Sequence, residues 1–204
     1  MLARGFTLVE LLIVIGLLGA IALIVIAAIN PIEQANRARD ARFRSDGAQV
    51  ISAIDRYFAS HSSFPWMDCS SCTLDIEDEF DFTSAGIEEV GLCGANCSTT
   101  GLLITSDELK NEFLSRDFVK NPTDHANNSS QPDKKVFIGK GSGSSASVYA
   151  CFVPLSKSNR EKAIADDKVR ALSFDSIGIP SETSACTSAS DDWITSGCFV
   201  CIPE

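Results

Sequence analysis

The chain has 204 residues, of which 45% are hydrophobic and 22% are charged, and its formal net charge is −10. This composition excludes an intrinsically disordered chain and allows one globular domain with an additional segment. Residues 1–60 hold six of the 17 basic and five of the 27 acidic residues, so residues 61–204 carry a net charge of −11. Because an acidic domain repels phosphate backbones, we expect no direct contact with nucleic acid.

An apolar run of 24 residues extends from Phe6 to Ile29 and contains one charged residue, Glu10. As a helix it would be about 36 Å long, enough to cross a hydrocarbon layer of about 30 Å. A cleaved secretory signal has an apolar core of about 7–15 residues, so this run is too long for one. A simple signal anchor is the alternative. A carboxylate inside such a run is costly and needs a partner. Arg4 is the only nearby base, whereas cleavage after Gly5 would supply the free amine of Phe6.

The sequence GFTLVE at residues 5–10, followed by an aliphatic run, resembles the prepilin-peptidase site of type IV pilins and type II secretion pseudopilins. The resemblance implies cleavage between Gly5 and Phe6, methylation of Phe6, and a role for Glu10 in assembly. It also implies a single pass through the cytoplasmic membrane with the globular domain outside, followed by entry into a pilus or pseudopilus at the cell surface. The implied partners are a prepilin peptidase, an assembly platform, membrane lipid before assembly, and further copies of this chain or other pilins.

These inferences divide the chain into a leader at residues 1–5, a transmembrane and polymerisation helix at 6–29, an amphipathic continuation at 30–63, and an acidic globular domain at 64–204. Pro31 predicts a kink between the two helical segments, because proline removes one helical hydrogen bond. Apolar residues recur at helical spacing after it, which predicts a half-helix that packs on a sheet. Phe64-Pro65 predicts that this helix ends near residues 60–63.

The charge pattern around the apolar run conflicts with export. Four arginines lie between residues 37 and 44, whereas Arg4 alone precedes the run, and a positive-inside count would leave residues 32–204 in the cytoplasm. Eight cysteines, all after residue 60, favour the opposite orientation because disulfides form in oxidising compartments. We therefore expect an exported domain whose basic segment lies at lipid headgroups or pairs with acidic surface on a neighbouring subunit.

The predicted fold class is α+β, with the long N-terminal helix packed on a small antiparallel sheet and with loops held by disulfides. Residues 66–101 and 181–197 are predicted to be loops, and residues 107–119 a helix. Segments rich in β-branched and aromatic residues predict the strands. These strands cover residues 135–139, 147–154 and 169–175, with a short one at Phe199-Val200.

The cysteines are candidates for disulfides. They are Cys69, Cys72, Cys93, Cys97, Cys151, Cys186, Cys198 and Cys201. Eight cysteines allow 105 connectivities, and we expect Cys151, on a predicted strand, to pair with Cys186. The first four have a spacing close to that of a zinc ribbon, so a Zn²⁺ site at Cys69, Cys72, Cys93 and Cys97 is the alternative.

No catalytic site and no cofactor are predicted. The two histidines, His61 and His125, lie outside metalloprotease and nucleophile motifs. Asp191-Asp192 fits no defined calcium motif, so calcium binding is left open. The leading expectation is a structural subunit of a type IV pilus-like fibre. The alternatives are a pseudopilin of a type II secretion or DNA-uptake system and a membrane-anchored binding protein that does not polymerise.

Overall fold

Two successive helices form the N-terminal part of the chain in this computed structural model. The structure describes residues 5–28, 30–70, 72–94, 97, 99–174 and 178–203. Helix α1 extends from Leu8 to Ala28, and helix α2 extends from Pro31 to His61. The predictions for residues 1–4 of the leader, for Ile29 and for the end of the strand at Asp175 lie outside the described residues.

The predicted kink at Pro31 is the start of a new helix. Asn30 is the N-cap of α2, and its side-chain oxygen accepts a hydrogen bond from the amide of Glu33 (3.3 Å). Pro31 occupies the first helical position, where its missing N–H costs no helical hydrogen bond. Helix α2 ends at His61. The next residue, Ser62, caps the helix with a left-handed φ of 58° and an amide that donates to the carbonyl of Phe58, so the predicted end of this helix is confirmed.

The strands of the described residues form one sheet and one separate pair. They are β1 (Phe80–Ser84), β2 (Phe137–Lys140), β3 (Val148–Phe152), β4 (Arg170–Ala171), β5 (Ser181–Glu182) and β6 (Val200–Ile202). The sheet is antiparallel, in the order β1-β2-β3-β6, and β4 pairs with β5. The mixed helix-and-sheet class and the antiparallel sheet are therefore confirmed, whereas the strand predicted at 169–175 is reduced to β4.

Short helices occupy much of the remaining chain. They are α3 (Pro65–Asp68), α4 (Leu102–Thr105), α5 (Asp117–Lys120) and α6 (Lys157–Ala165), with 3₁₀ turns at Glu88–Val90, Asn111–Ser115 and Pro132–Lys134. The single helix predicted at 107–119 is wrong, because Asp107 has a φ of 61° and Arg116 is extended, with ψ of 147°. The turns on either side of Arg116 bring Phe113 and Phe118 into edge contact in the core.

The loop predicted at 66–101 contains a strand. Alternate residues of β1 are buried, so this strand has the two-residue period of a half-buried sheet. Residues Ser181–Glu182, inside the other predicted loop, form β5. Both differences arise because strand pairing orders short segments that lie within polar stretches of the sequence.

Both faces of the sheet are buried. Phe43, Val50 and Ile54 of α2 lie in one core cluster with Ile138 of the sheet, which confirms the predicted packing of the amphipathic helix. The approach is close at Gly47, where an added Cβ would lie 3.1 Å from the Cβ of Ala150. The opposite face packs against the C-terminal segment, in a second cluster that contains Phe82, Phe137, Trp193 and Phe199.

Candidate assembly site

Glu10 lies in the first turn of α1 and is hydrogen-bonded within the chain. The amide and the hydroxyl of Thr7 both donate to Oε2 of Glu10, at 3.0 and 2.9 Å. The amide of Glu10 donates in return to Oγ1 of Thr7 (3.2 Å), which completes a reciprocal N-terminal cap. Glu10 therefore has hydrogen-bond donors within the chain, although Thr7 carries no charge that could neutralise the carboxylate.

Thr7 is the residue of this candidate site that the sequence interpretation missed. Its signal is the spacing Thr7-x-x-Glu10 directly before an apolar helix, which is typical of a capping box. Both donors of Thr7 go to one carboxylate oxygen, and within the described residues Oε1 of Glu10 has no hydrogen-bond partner. The cap therefore fixes the carboxylate at the helix terminus and leaves one oxygen available for a further donor.

The predicted cleavage site lies outside the helix. Gly5 and Phe6 precede α1 and are exposed, and the side chain of Phe6 is 81% exposed. Exposed segments outside regular secondary structure are preferred sites of proteolytic cleavage. The structure therefore places Gly5, Phe6 and Glu10 together at one exposed end of α1.

Apart from Glu10, helix α1 is apolar on every side, and its described side chains are exposed. Residues Leu8–Ile26 form the one described helix that is long and apolar enough to cross a membrane, and none of it is buried. Its fourteen large aliphatic side chains between Leu8 and Ile26 are 48–80% exposed. Soluble monomers rarely expose a continuous apolar surface of this size, so α1 needs a membrane or partner helices around it.

Asp40 of α2 joins this helix to the segment before α6. It is 2% exposed, and its Oδ1 accepts hydrogen bonds from the amide of Leu155 and the guanidinium of Arg39, both at 3.0 Å. Its Oδ2 accepts from the amide of Ser156 (2.9 Å) and the side chain of Asn159 (3.0 Å). A buried carboxylate with four donors is well satisfied, so Asp40 holds the loop before α6 against α2.

Glu33 of α2 caps the first turn of α6. Its carboxylate accepts hydrogen bonds from the amides of Lys157 (3.0 Å) and Ser158 (3.2 Å). The hydroxyl of Ser156 (2.8 Å) and the guanidinium of Arg37 (3.2 Å) also donate to it. Burial acts to raise the pKa of Glu33, but these hydrogen bonds outweigh it and lower the pKa to about 2. The start of α2 is therefore tied to the globular part by an ionised side chain.

All eight cysteines form disulfides. The pairs are Cys69–Cys72, Cys93–Cys97, Cys151–Cys201 and Cys186–Cys198. The predicted pairing of Cys151 with Cys186 is wrong. Strands β3 and β6 are antiparallel neighbours with Cys151 opposite Cys201, and their Cα atoms are 4.0 Å apart. Cys186 instead closes a loop with Cys198, 12 residues later.

The residues considered for metals have other partners. The cysteines of the zinc alternative are Cys69, Cys72, Cys93 and Cys97, and they form two separate disulfides. Asp191 accepts hydrogen bonds from the amides of Thr187 and Ser188, and Asp192 accepts one from the amide of Thr195. The described residues contain no group of three or more His, Cys, Asp or Glu side chains arranged to hold a metal ion.

Ser84 and His125 form the arrangement that most resembles a nucleophile and its base. The Oγ of Ser84 lies 2.8 Å from Nδ1 of His125, and Nε2 lies 2.8 Å from the carbonyl of Val119. Because a carbonyl only accepts, Nε2 carries the hydrogen and Nδ1 accepts from Ser84. Ser84 is fully buried, and burial lowers the pKa of His125. With Asn128, which bonds the amide of Ser84 (3.1 Å), this pair fastens a loop to β1.

Comparison of the chain with protein-family models, with curated proteins and with solved structures gave no match. A functional proposal therefore depends on the chemistry of the N-terminal segment and on the contacts that hold the globular part to α2.

Proposed function

We propose that this chain is the precursor of a type IV pilin-like structural subunit. In this proposal α1 spans the cytoplasmic membrane with residues 30–204 outside, and a prepilin peptidase cuts between Gly5 and Phe6, whose new amine is methylated. An assembly platform then moves the subunit into a fibre, and the chain itself catalyses no reaction. The observation that supports the proposal is an exposed apolar helix with a single carboxylate. This carboxylate, on Glu10, lies four residues after Phe6, the proposed new N-terminus.

The exposed surface of α1 supplies the reason to polymerise. Burial of a Leu, Ile or Val side chain contributes about 1.5–3 kcal/mol relative to water. If neighbouring helices cover half of the fourteen large aliphatic side chains, the gain is on the order of 10–20 kcal/mol per subunit. A subunit that leaves the membrane therefore cannot remain a free monomer in water, and the helices of other subunits provide the apolar surroundings that lipid provided before.

Glu10 then sets how the subunits meet. An ionised carboxylate in an apolar fibre core is costly unless a cation pairs with it. Thr7 holds Oε2 of Glu10 by two hydrogen bonds, and Oε1 remains for the amine that cleavage creates on Phe6 of a neighbouring subunit. The pair of Phe6 and Glu10 neutralises both charges and defines the axial step between subunits.

The test separates the charge of Glu10 from its capping role. In Glu10→Gln the amide oxygen still accepts from Thr7, so the helix cap is retained while the negative charge is lost. We expect the precursor to insert in the membrane normally but to be absent from sheared fibres, as also expected for Glu10→Ala. In Thr7→Val the hydroxyl is lost but the charge remains, and we expect incorporation into fibres.

Normal incorporation of Glu10→Gln would refute the proposed charge pair. Mass spectrometry of the mature N-terminus provides an independent check, and we expect it to begin with methylated Phe6. A mature chain that retains residues 1–5 would instead favour a membrane-anchored protein that does not polymerise.

A further inference from the structure

A positively charged cleft lies between α2 and α6. It encloses about 260 Å³, and its floor includes the apolar side chains of Phe152 and Val200. The cationic side chains that line it are Arg37, Arg44, Lys162 and Lys168, of which Arg37 also pairs with Glu33 (3.2 Å). Asp166 and Asp40 line it too, but Asp40 is 2% exposed and is hydrogen-bonded to backbone amides. The cleft is therefore a basic site on a chain whose net charge is −10.

An acidic segment lies at the other end of α2. We define it as residues 75–79, in which Asp75, Glu77, Asp78 and Glu79 are exposed. It leads directly into Phe80, whose ring stacks on that of Trp66 (4.3 Å), just after the end of α2. Arg44 precedes His61, the last residue of α2, by 17 positions, which corresponds to about 25 Å along the helix. The basic cleft and the acidic segment thus lie at opposite ends of the globular part.

We infer that the basic cleft of one subunit receives the acidic segment of a second copy of this chain. The inference rests on the proposed function, because it describes a contact inside the fibre. Two different, complementary surfaces on one chain make a head-to-tail contact, and such a contact generates an open helical filament when the rotation does not close a ring. Opposite charges at the two ends also fix the polarity of the filament, since cleft against cleft or segment against segment is repulsive.

Anionic lipid headgroups are the competing occupant of the cleft. The headgroup layer is about 5–8 Å thick on each side of the hydrocarbon core. Arg44 lies 13 residues after Pro31, or about 20 Å along α2. For a helix that leaves the membrane along its normal, Arg44 lies beyond the headgroups and within reach of a neighbouring subunit.

The test is an exchange of charges between the two surfaces. Lys162 and Glu79 are exposed, so Lys162→Glu and Glu79→Lys are expected to leave the unfolding midpoint of the full-length chain unchanged. Each single variant should reduce the yield of fibres sheared from cells about fivefold, because it replaces an attraction by a repulsion. The double variant restores the attraction and should recover the yield. Lys110→Glu makes the same charge change outside the cleft, and fibres should form normally.

Each other outcome overturns the inference in a distinguishable way. If wild-type and both single variants give equal fibre yields, the inference fails and the proposed function stands. If wild-type chain gives no fibres, both fail. If the double variant does not recover the fibre yield, the basic cleft and the acidic segment are not in contact. Stabilisation of reconstituted wild-type chain, but not Lys162→Glu, by phosphatidylglycerol would then identify lipid as the occupant of the cleft.

Discussion

Asp40→Asn is expected to loosen the globular part from α2. Asp40 accepts four hydrogen bonds through two oxygens, whereas asparagine has one acceptor oxygen and would direct an NH₂ group at two of the donors. A hydrogen bond to a buried charged group contributes about 1.5–3 kcal/mol, and such losses are not additive. We therefore expect the free energy of unfolding to fall by about 3 kcal/mol, which lowers Tm by about 6–12 °C.

The assay is urea unfolding of the full-length chain in detergent, followed by tryptophan fluorescence. Both tryptophans, Trp66 and Trp193, are buried, at 1% and 0% exposure, so unfolding exposes both to water. Glu161→Gln is the matched control, because it removes a carboxylate from an exposed pair with Lys157 on α6. Its expected cost is about 0.3–0.5 kcal/mol. A midpoint for Asp40→Asn equal to that of the control would show that the four hydrogen bonds do not hold α6 to α2.

Further predictions concern acid stability and the disulfides. The pKa of Glu33 is lowered from 4.5 to about 2, so its contribution is complete above about pH 4.5 and disappears as the pH falls toward 2. In urea titrations from pH 6 to 2, Glu33→Gln should be about 1 kcal/mol less stable than wild type at pH 6 and about equally stable at pH 2. A difference in stability that stays constant across this pH range would contradict the prediction. Replacement of Cys151 and Cys201 by serine should lower the free energy of unfolding by about 4 kcal/mol, and replacement of Cys69 and Cys72 by about 2 kcal/mol. The first disulfide closes a much longer loop and therefore restricts the unfolded chain more. Equal losses would exclude this explanation. Iodoacetamide should modify no cysteine before reduction and all eight after it, with no zinc released.

The N-terminal helices are predictable because their signals are local. An unbroken apolar run specifies α1, and Asn30-Pro31 supplies both an N-cap and a residue suited to the first helical position. The end of α2 is equally local, since Phe64-Pro65 prevents continuation of the helix. The capping role of Thr7 was detectable by the same kind of signal, the spacing to Glu10, so this omission was avoidable.

The pairing of the cysteines is not local. Cys151 meets Cys201 because β3 and β6 are adjacent in a particular register, and register depends on the whole sheet. Helix α6 is missed for a related reason, because only Ala163 of this helix is buried and no apolar stripe marks it. Its position depends on Glu33 and Asp40, the latter 115 residues before its partner Leu155.

Strand β1 and the segment 107–119 show two ways in which the spacing of apolar residues fails to predict secondary structure. In β1 the two-residue alternation is present, but the acidic residues before Phe80 hide it within a polar stretch. In 107–119 the helical spacing of Leu109, Phe113 and Phe118 predicts one helix, yet two short turns deliver the same side chains to the core. Spacing identifies which residues are buried more reliably than it identifies the backbone that buries them.

Because aliphatic side chains surround α1 completely, this rod has no preferred side. Neighbouring helices can pack against any side of it and bury a similar apolar area. Such lateral contacts alone would leave each helix free to rotate about its axis and to slide along its neighbours. Directional information is confined to one tip, where Thr7 orients a single carboxylate. The precision of any bundle built from such rods therefore resides in a few atoms at their ends and in the globular parts that they carry.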